Sequence, residues 1–83
     1  MKLRYFAWVR ERIGKPEEEV EIPATVTTVG ELAIWLATRG EEYAYAFENP
    51  KVVRAAIDRV HVKPQASIAG AGEIAFFPPM TGG

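Results

Sequence analysis

The clearest helix in this chain sets what the rest must do. Thr28-Val29-Gly30-Glu31 fits a capping box, in which the threonine hydroxyl accepts a first-turn amide and the glutamate reaches back to the cap. Val29, Leu32, Ala33 and Leu36 follow at i, i+3, i+4 and i+7, one apolar stripe, with Trp35 at its flank and Gly40 placed as a C-terminal stop. A single stripe is covered by one face of a sheet. The chain has 83 residues, enough for one such pair of layers.

The flanking segments supply strands. Lys2 to Val9 reads as the first, with Leu3, Tyr5, Ala7 and Val9 on one face and Phe6 and Trp8 on the other. Arg10 to Gly14 reads as a helical turn closed by glycine, and Lys15-Pro16 as a bend. Glu17 to Pro23 alternates, with Val20 and Ile22 inward, and completes a hairpin. After the main helix, Glu41 to Phe47 fits a shorter helix, and Glu48-Asn49-Pro50 a turn. Lys51 to Ile57 and Val60 to Val62 read as two further strands. Pro64 to Gly72 is loop-like, anchored by Ile68, and Glu73 to Phe77 is a last strand. Ile74 and Phe76 share one face of it, Ala75 and Phe77 the other. The order makes an α+β domain over residues 1–77, a mixed sheet of about five strands on one main helix, with residues 78–83 as an extended tail. If the first and last strands are neighbours, they run parallel.

Composition removes several classes of function. Cysteine is absent, which excludes disulfides, thiolate metal sites and a thiol nucleophile. The one histidine, His61, and the one serine, Ser67, carry no catalytic-triad signature, and Gly70-Ala71-Gly72 lacks the third glycine and following helix of a dinucleotide loop. No metal site is expected. Basic residues are scattered through a chain of net charge −1, unlike a nucleic-acid binder. The run Glu17-Glu18-Glu19 with Glu21 reads as a solvated strand edge or as an acidic docking patch. No apolar run has the roughly 18 residues of a membrane span. The charged opening Met1-Lys2-Leu3-Arg4 argues against a signal peptide, which leaves the cytoplasm as the default location. A chain with so little catalytic equipment is not expected to be an enzyme alone.

The last strand runs into Pro78-Pro79-Met80-Thr81-Gly82-Gly83. Two prolines stop strand pairing and impose an extended path. Two glycines then remove all side-chain bulk, so that the end fits a channel any Cβ would block. On the glycines alone a frayed end is the simpler reading. The terminal carboxylate is also the one carboxylate that can be activated without disturbing the fold.

The stretch from Ile74 to Gly83, Ile-Ala-Phe-Phe-Pro-Pro-Met-Thr-Gly-Gly, resembles the C-terminal signature of the small subunit of molybdopterin synthase. Tyr5 to Gly14, Tyr-Phe-Ala-Trp-Val-Arg-Glu-Arg-Ile-Gly, is similar to that family's opening strand and turn, and the resemblance spans the chain. It implies the β-grasp fold of ubiquitin and a sulfur-carrying cycle in molybdenum cofactor biosynthesis. In that cycle a ubiquitin-activating-like adenylyltransferase uses ATP to adenylate the Gly83 carboxylate. A persulfide sulfur donor converts it to a thiocarboxylate. The tail, Pro78, Pro79, Met80, Thr81 and Gly82, then inserts into the large synthase subunit, where sulfur passes to cyclic pyranopterin monophosphate to build the molybdopterin dithiolene. The family works as a heterotetramer of two small and two large subunits, and the small chain alone binds no cofactor.

Family members grip their partners through a hydrophobic surface beside the tail, and the matching positions are Phe6, Phe77 and His61, with Arg10 close by. His61 departs from the aliphatic residue usual there. Ala56-Ile57-Asp58 stands where Ala-Val-Asn is common, and Gly70-Ala71-Gly72-Glu73 where Gly-Asp-Glu precedes the last strand. Other acceptors, in thiamine or tRNA thiolation, would use the same terminus. So would a ubiquitin-like protein modifier, whereas a binding module would leave the tail inert.

Overall fold

The computed structural model describes residues 1–79. Strand β1 (Lys2–Tyr5) leads into helix α1 (Ala7–Ile13) and strand β2 (Glu17–Glu19). Helices α2 (Val29–Ala37) and α3 (Glu41–Ala46) follow, then a 3-10 turn (Pro50–Val52), β3 (Arg54–Ile57), β4 (Val60–Val62) and β5 (Glu73–Phe77). The sheet order is β2-β1-β5-β3-β4. The central pair β1–β5 is parallel and the other three pairings are antiparallel. That order, with α2 across one face, is the β-grasp arrangement.

Register divides the sheet into two faces. Leu3 sits opposite Ile74, and Ile74 opposite Ile57; Tyr5 sits opposite Phe76, and Phe76 opposite Ala55. These residues face α2, whose Val29, Leu32 and Leu36 are buried against them. The capping box forms as the sequence indicates: the Glu31 amide donates to Thr28 Oγ1 at 3.1 Å, and Glu31 Oε1 accepts the Thr28 amide at 3.2 Å. Ile68 anchors its loop in the core.

Four expectations need correction. The first strand ends at Tyr5 instead of Val9, because the chain reverses at Phe6–Ala7. Ala7 takes φ 52°, the Arg10 amide bonds the Phe6 carbonyl, and helix α1 carries Val9 and Ile13 inward. Their i, i+4 spacing is the helical one. Gly14 closes α1 at φ 91°, as expected of a left-handed cap. Strand β2 is three residues long, although Val20 is buried as the alternation requires. Gly40 caps the start of α3 instead of ending α2. That end is made at Thr38, whose hydroxyl donates to the Trp35 carbonyl at 2.6 Å. Lys51 and Val52 belong to the 3-10 turn, which Asn49 caps through its side chain, so β3 starts at Arg54.

The Asp58 departure has a structural reason. Asp58 and Arg59 both take positive φ, 47° and 72°, in the two-residue turn joining β3 and β4. The Asp58 carboxylate accepts the Gly72 and Glu73 amides at 3.0 and 2.9 Å, tying this turn to the start of β5. Asparagine and aspartate both tolerate the left-handed region and offer that acceptor.

One polar cluster fastens the hairpin to the helical layer. Tyr5 Oη and Tyr43 Oη both donate to Glu18 Oε2, at 2.8 and 2.6 Å, and Arg39 Nη1 donates to Oε1 at 3.2 Å. Burial raises the Glu18 carboxyl, but the bonds from Tyr43, Tyr5 and Arg39 outweigh it and hold the group below the ordinary glutamate range. A depressed pKa contributes stability above the unfolded value, and that stability is lost as pH falls through the folded one. Thermal melts between about pH 6 and pH 3 should therefore show wild type losing its advantage over Glu18→Gln as pH falls below about 4.5. Parallel curves for the two proteins would show that the carboxylate contributes no pH-dependent stability.

Candidate docking face and tail root

The parallel β1–β5 pair delivers both strand ends to one edge of the domain. Phe6 continues the β1 register by one residue, its amide donating to the Phe76 carbonyl at 3.1 Å, so Phe6 is the neighbour of Phe77. Both point away from α2, on the opposite parity from Tyr5 and Phe76. Phe6 is 39% exposed and Phe77 half-buried. The His61 ring lies against Phe77 with centroids 5.0 Å apart, tilted by 50°. Ala56 lies opposite His61 on β4 and opposite Ala75 on β5, and these small side chains form a floor between the aromatic ones. The structure thus brings Phe6, Phe77 and His61 together on one outer sheet face.

Arg10 is exposed one turn into α1, linked to this face through its amide bond to Phe6. Its guanidinium makes no ion pair among the described residues, whereas Arg4 does more for the face itself. The Arg4 guanidinium lies 5.2 Å from the Phe6 ring centroid and pairs with Glu73 at 3.7 Å, holding a cation beside the exposed ring. Arg4 shares the parity of Phe6, which is the signal in the sequence that marks it.

Pro78 and Pro79 follow Phe77 without joining a strand and are half-buried at the tail root. Met80, Thr81, Gly82 and Gly83 lie outside the described residues. Strand β5 ends at Phe77.

The rest of the surface offers little for direct chemistry. Among the described residues no three His, Asp or Glu side chains gather to hold a metal ion. No helix among them is long and apolar enough to cross a membrane. Glu17 and Glu19 flank the hairpin edge, while Glu18 turns inward to the tyrosines and leaves the acidic run incomplete as a patch.

Sequence comparison gives a match to the ThiS family over residues 3–83. The chain is 35% identical over 83 residues to the molybdopterin synthase sulfur carrier subunit of Escherichia coli (strain K12), covering 100% of this chain and 99% of that protein. It is 31% identical to the Haemophilus influenzae protein of the same name, with the same coverage. Among solved structures, a Pyrococcus furiosus protein assigned as molybdopterin converting factor subunit 1 has a TM-score of 0.73 at 25% identity, over 95% of each chain. Small archaeal modifier protein 1 of Haloferax volcanii has a TM-score of 0.71 at 20% identity, over 96% of this chain and 97% of that one; it shares the fold.

Proposed function

Because the chain belongs to the ThiS family, we propose that it is the sulfur-carrier small subunit of a molybdopterin synthase, holding sulfur as a thiocarboxylate on Gly83. The single observation that carries this reading is the whole-length similarity to two molybdopterin synthase sulfur carrier subunits, in a family match that runs through Gly83.

The chemistry follows from a terminus that is inert until activated. The Gly83 carboxylate attacks the α-phosphorus of ATP in an adenylyltransferase, releasing pyrophosphate and forming an acyl-adenylate. The outer sulfur of a persulfide donor attacks the acyl carbon and displaces AMP, giving an acyl disulfide. A second thiol then cleaves its S–S bond, leaving the donor sulfur in a disulfide and the terminus as a thiocarboxylate. The thiocarboxylate is then delivered into the large synthase subunit, and its sulfur passes to cyclic pyranopterin monophosphate. The chain contributes reach, slimness and docking, while both partners supply the catalytic groups. This division of labour is consistent with the lack of cysteine and of a nucleophile–base pair in the sequence.

Phe6, Phe77 and His61 form the docking face in this reading, and Arg10 borders it. Exposed aromatic side chains at a rigid sheet face are suited to act as interface anchors. A Phe6→Asp variant should bind the large subunit about tenfold more weakly or worse in calorimetry. Its melting temperature should stay within a few degrees of wild type, since Phe6 is outside the core. Unchanged affinity would remove Phe6 from the interface.

The test of the function is the intact mass after incubation with ATP, the host's adenylyltransferase, a persulfide donor and a thiol reductant. Replacement of one oxygen by sulfur at Gly83, followed by molybdopterin formation once large subunit and pterin precursor are added, is the expected result. Sulfur uptake with no transfer to that precursor would indicate a carrier serving another acceptor. An unchanged mass, with an adenylyltransferase active on a known carrier, would overturn the reading.

A further inference from the structure

The three docking residues are too few for a stable subunit contact. A fully buried aromatic side chain hides about 150–250 Å². Phe6 is only 39% exposed, and Phe77 is already half-buried. Together with His61 they contribute roughly 300 Å² at most, against roughly 800 Å² on each side of a standard stable interface. The remainder falls to the inserted tail, residues 78–83, and to the surface beside its root.

Two surfaces flank strand β5, one reached through α1 and the other through β3. On one side, Arg12 is stacked between Trp8 and Tyr45, at 4.5 and 4.0 Å, and paired with Glu48 at 3.3 Å. That cluster is satisfied within the chain. On the other side lies a groove of about 240 Å³ between α2, the 3-10 turn and the β3–β4 strands. Its lining includes Ala33, Ala55 and Phe76, with Ile34, Lys51 and Arg54 among its more exposed residues. Its rim reaches the strand beside Phe77, because Arg54 is the register partner of Phe77, while Ala55 and Phe76 place its floor on the α2 side of the sheet, opposite the docking face.

The groove is unsatisfied in two ways. Ile34 is 68% exposed on α2, an apolar side chain beside an apolar hollow. Lys51 and Arg54, like Arg10, Arg59 and Lys63, make no ion pair among the described residues, whereas Lys2, Arg4, Arg12, Lys15 and Arg39 each reach a carboxylate. Arg54 instead donates to the Lys51 carbonyl at 2.8 Å, which keeps its charge near Lys51. The volume is below the roughly 300–1,000 Å³ of small-molecule sites and suits one or two side chains.

We propose that this groove is the second half of the synthase interface and seats an acidic segment of the large subunit. One aliphatic or aromatic side chain of that segment fills the hollow against Ala33 and Phe76, and its neighbouring carboxylates meet Lys51 and Arg54. The inference rests on the carrier function proposed above. It adds a charge-reading contact to the apolar one, and charge complementarity of this kind sets orientation and association rate. Grip on both sides of the tail root would fix the direction in which the tail leaves the domain.

The experiment is calorimetric titration of the large subunit, and separately of the adenylyltransferase, with the full chain, a Lys51→Glu/Arg54→Glu double variant, an Ile34→Glu variant and Phe6→Asp, each first checked by thermal melting. The double variant and Ile34→Glu should each bind about tenfold more weakly with unchanged melting, and the double variant's deficit should shrink at high salt. Full affinity in both groove variants, with Phe6→Asp impaired, would overturn the groove while leaving the carrier function standing. Loss of affinity for the adenylyltransferase but not for the large subunit would overturn it equally, by assigning the groove to the other partner. A wild-type chain that does not bind the large subunit at all would remove the carrier reading and the groove together.

Discussion

Deleting Gly83 should abolish sulfur loading while leaving the domain intact. The shortened chain still ends in a glycine carboxylate, so the expected loss is one of position and not of functional group. One extended residue spans about 3.3–3.6 Å, and the acyl carbon retreats by that distance from the adenylating phosphate. Misplacement of a reacting centre by about 1 Å already costs on the order of a hundredfold in rate. Mass spectrometry after incubation with ATP, adenylyltransferase and persulfide donor should thus show no exchange of oxygen for sulfur on the timescale that loads wild type. Melting temperature should not move, because the buried residues run from Leu3 to Phe76. Affinity for the large subunit should fall less than for Phe6→Asp if the sheet face carries the docking. Sulfur uptake by the deleted chain would place the reactive group elsewhere, and a marked drop in melting temperature would mean that the tail packs on the domain.

Much of this architecture can be read from local pattern, for reasons visible in particular residues. Helix α2 is announced by its capping box and its single stripe, two signals that agree. Strand β5 is legible as a short apolar run with Ile74 and Phe76 on one parity and Ala75 and Phe77 on the other, and the structure buries the first pair. The junction at Phe6–Ala7 was harder. Trp8 and Val9 favour strands by type, while the i, i+4 pair of Val9 and Ile13 favours a helix, and tertiary packing decides for the helix. Gly40 misleads because a glycine after an apolar stripe usually ends a helix, whereas here the Thr38 side chain has already done so. Phe6 and Phe77 oppose the better core parity of their strands, but Tyr5 beside Phe6 and Phe76 beside Phe77 put an aromatic residue on each face, so parity was compatible with an outward position without deciding it. The groove was not legible, because Gly30, Ile34, Lys51, Arg54, Val62 and Pro64 come from separate elements and no short window holds their relation.

Adjacent phenylalanines on β5 should respond to alanine in opposite ways. Phe76 is 1% exposed, stacked 6.4 Å from Tyr5 and met edge-on by Phe47 at 5.1 Å. Its removal leaves a cavity under the helical layer, and Phe→Ala at such sites costs about 3–5 kcal/mol. At about 0.05–0.15 kcal/mol per residue, a domain of this size is stable by roughly 4–12 kcal/mol, so Phe76→Ala consumes a large share of what holds it folded. Its melting temperature should fall on the order of 20 °C, with docking retained in whatever fraction stays folded. Phe77 touches His61 on the outer face and contributes little to the core, so Phe77→Ala should cost about 1 kcal/mol or less in stability. Its affinity for the large subunit should nevertheless fall about tenfold, the signature of an interface anchor. A melting loss in Phe77→Ala equal to that of Phe76→Ala would contradict the two-faced register of β5. Unaltered affinity would leave the register intact and take Phe77 out of the interface. The pair separates the two demands made on this strand, since the side chain that holds the fold and the one that meets the partner are neighbours in sequence and differ only in which face of the sheet they occupy.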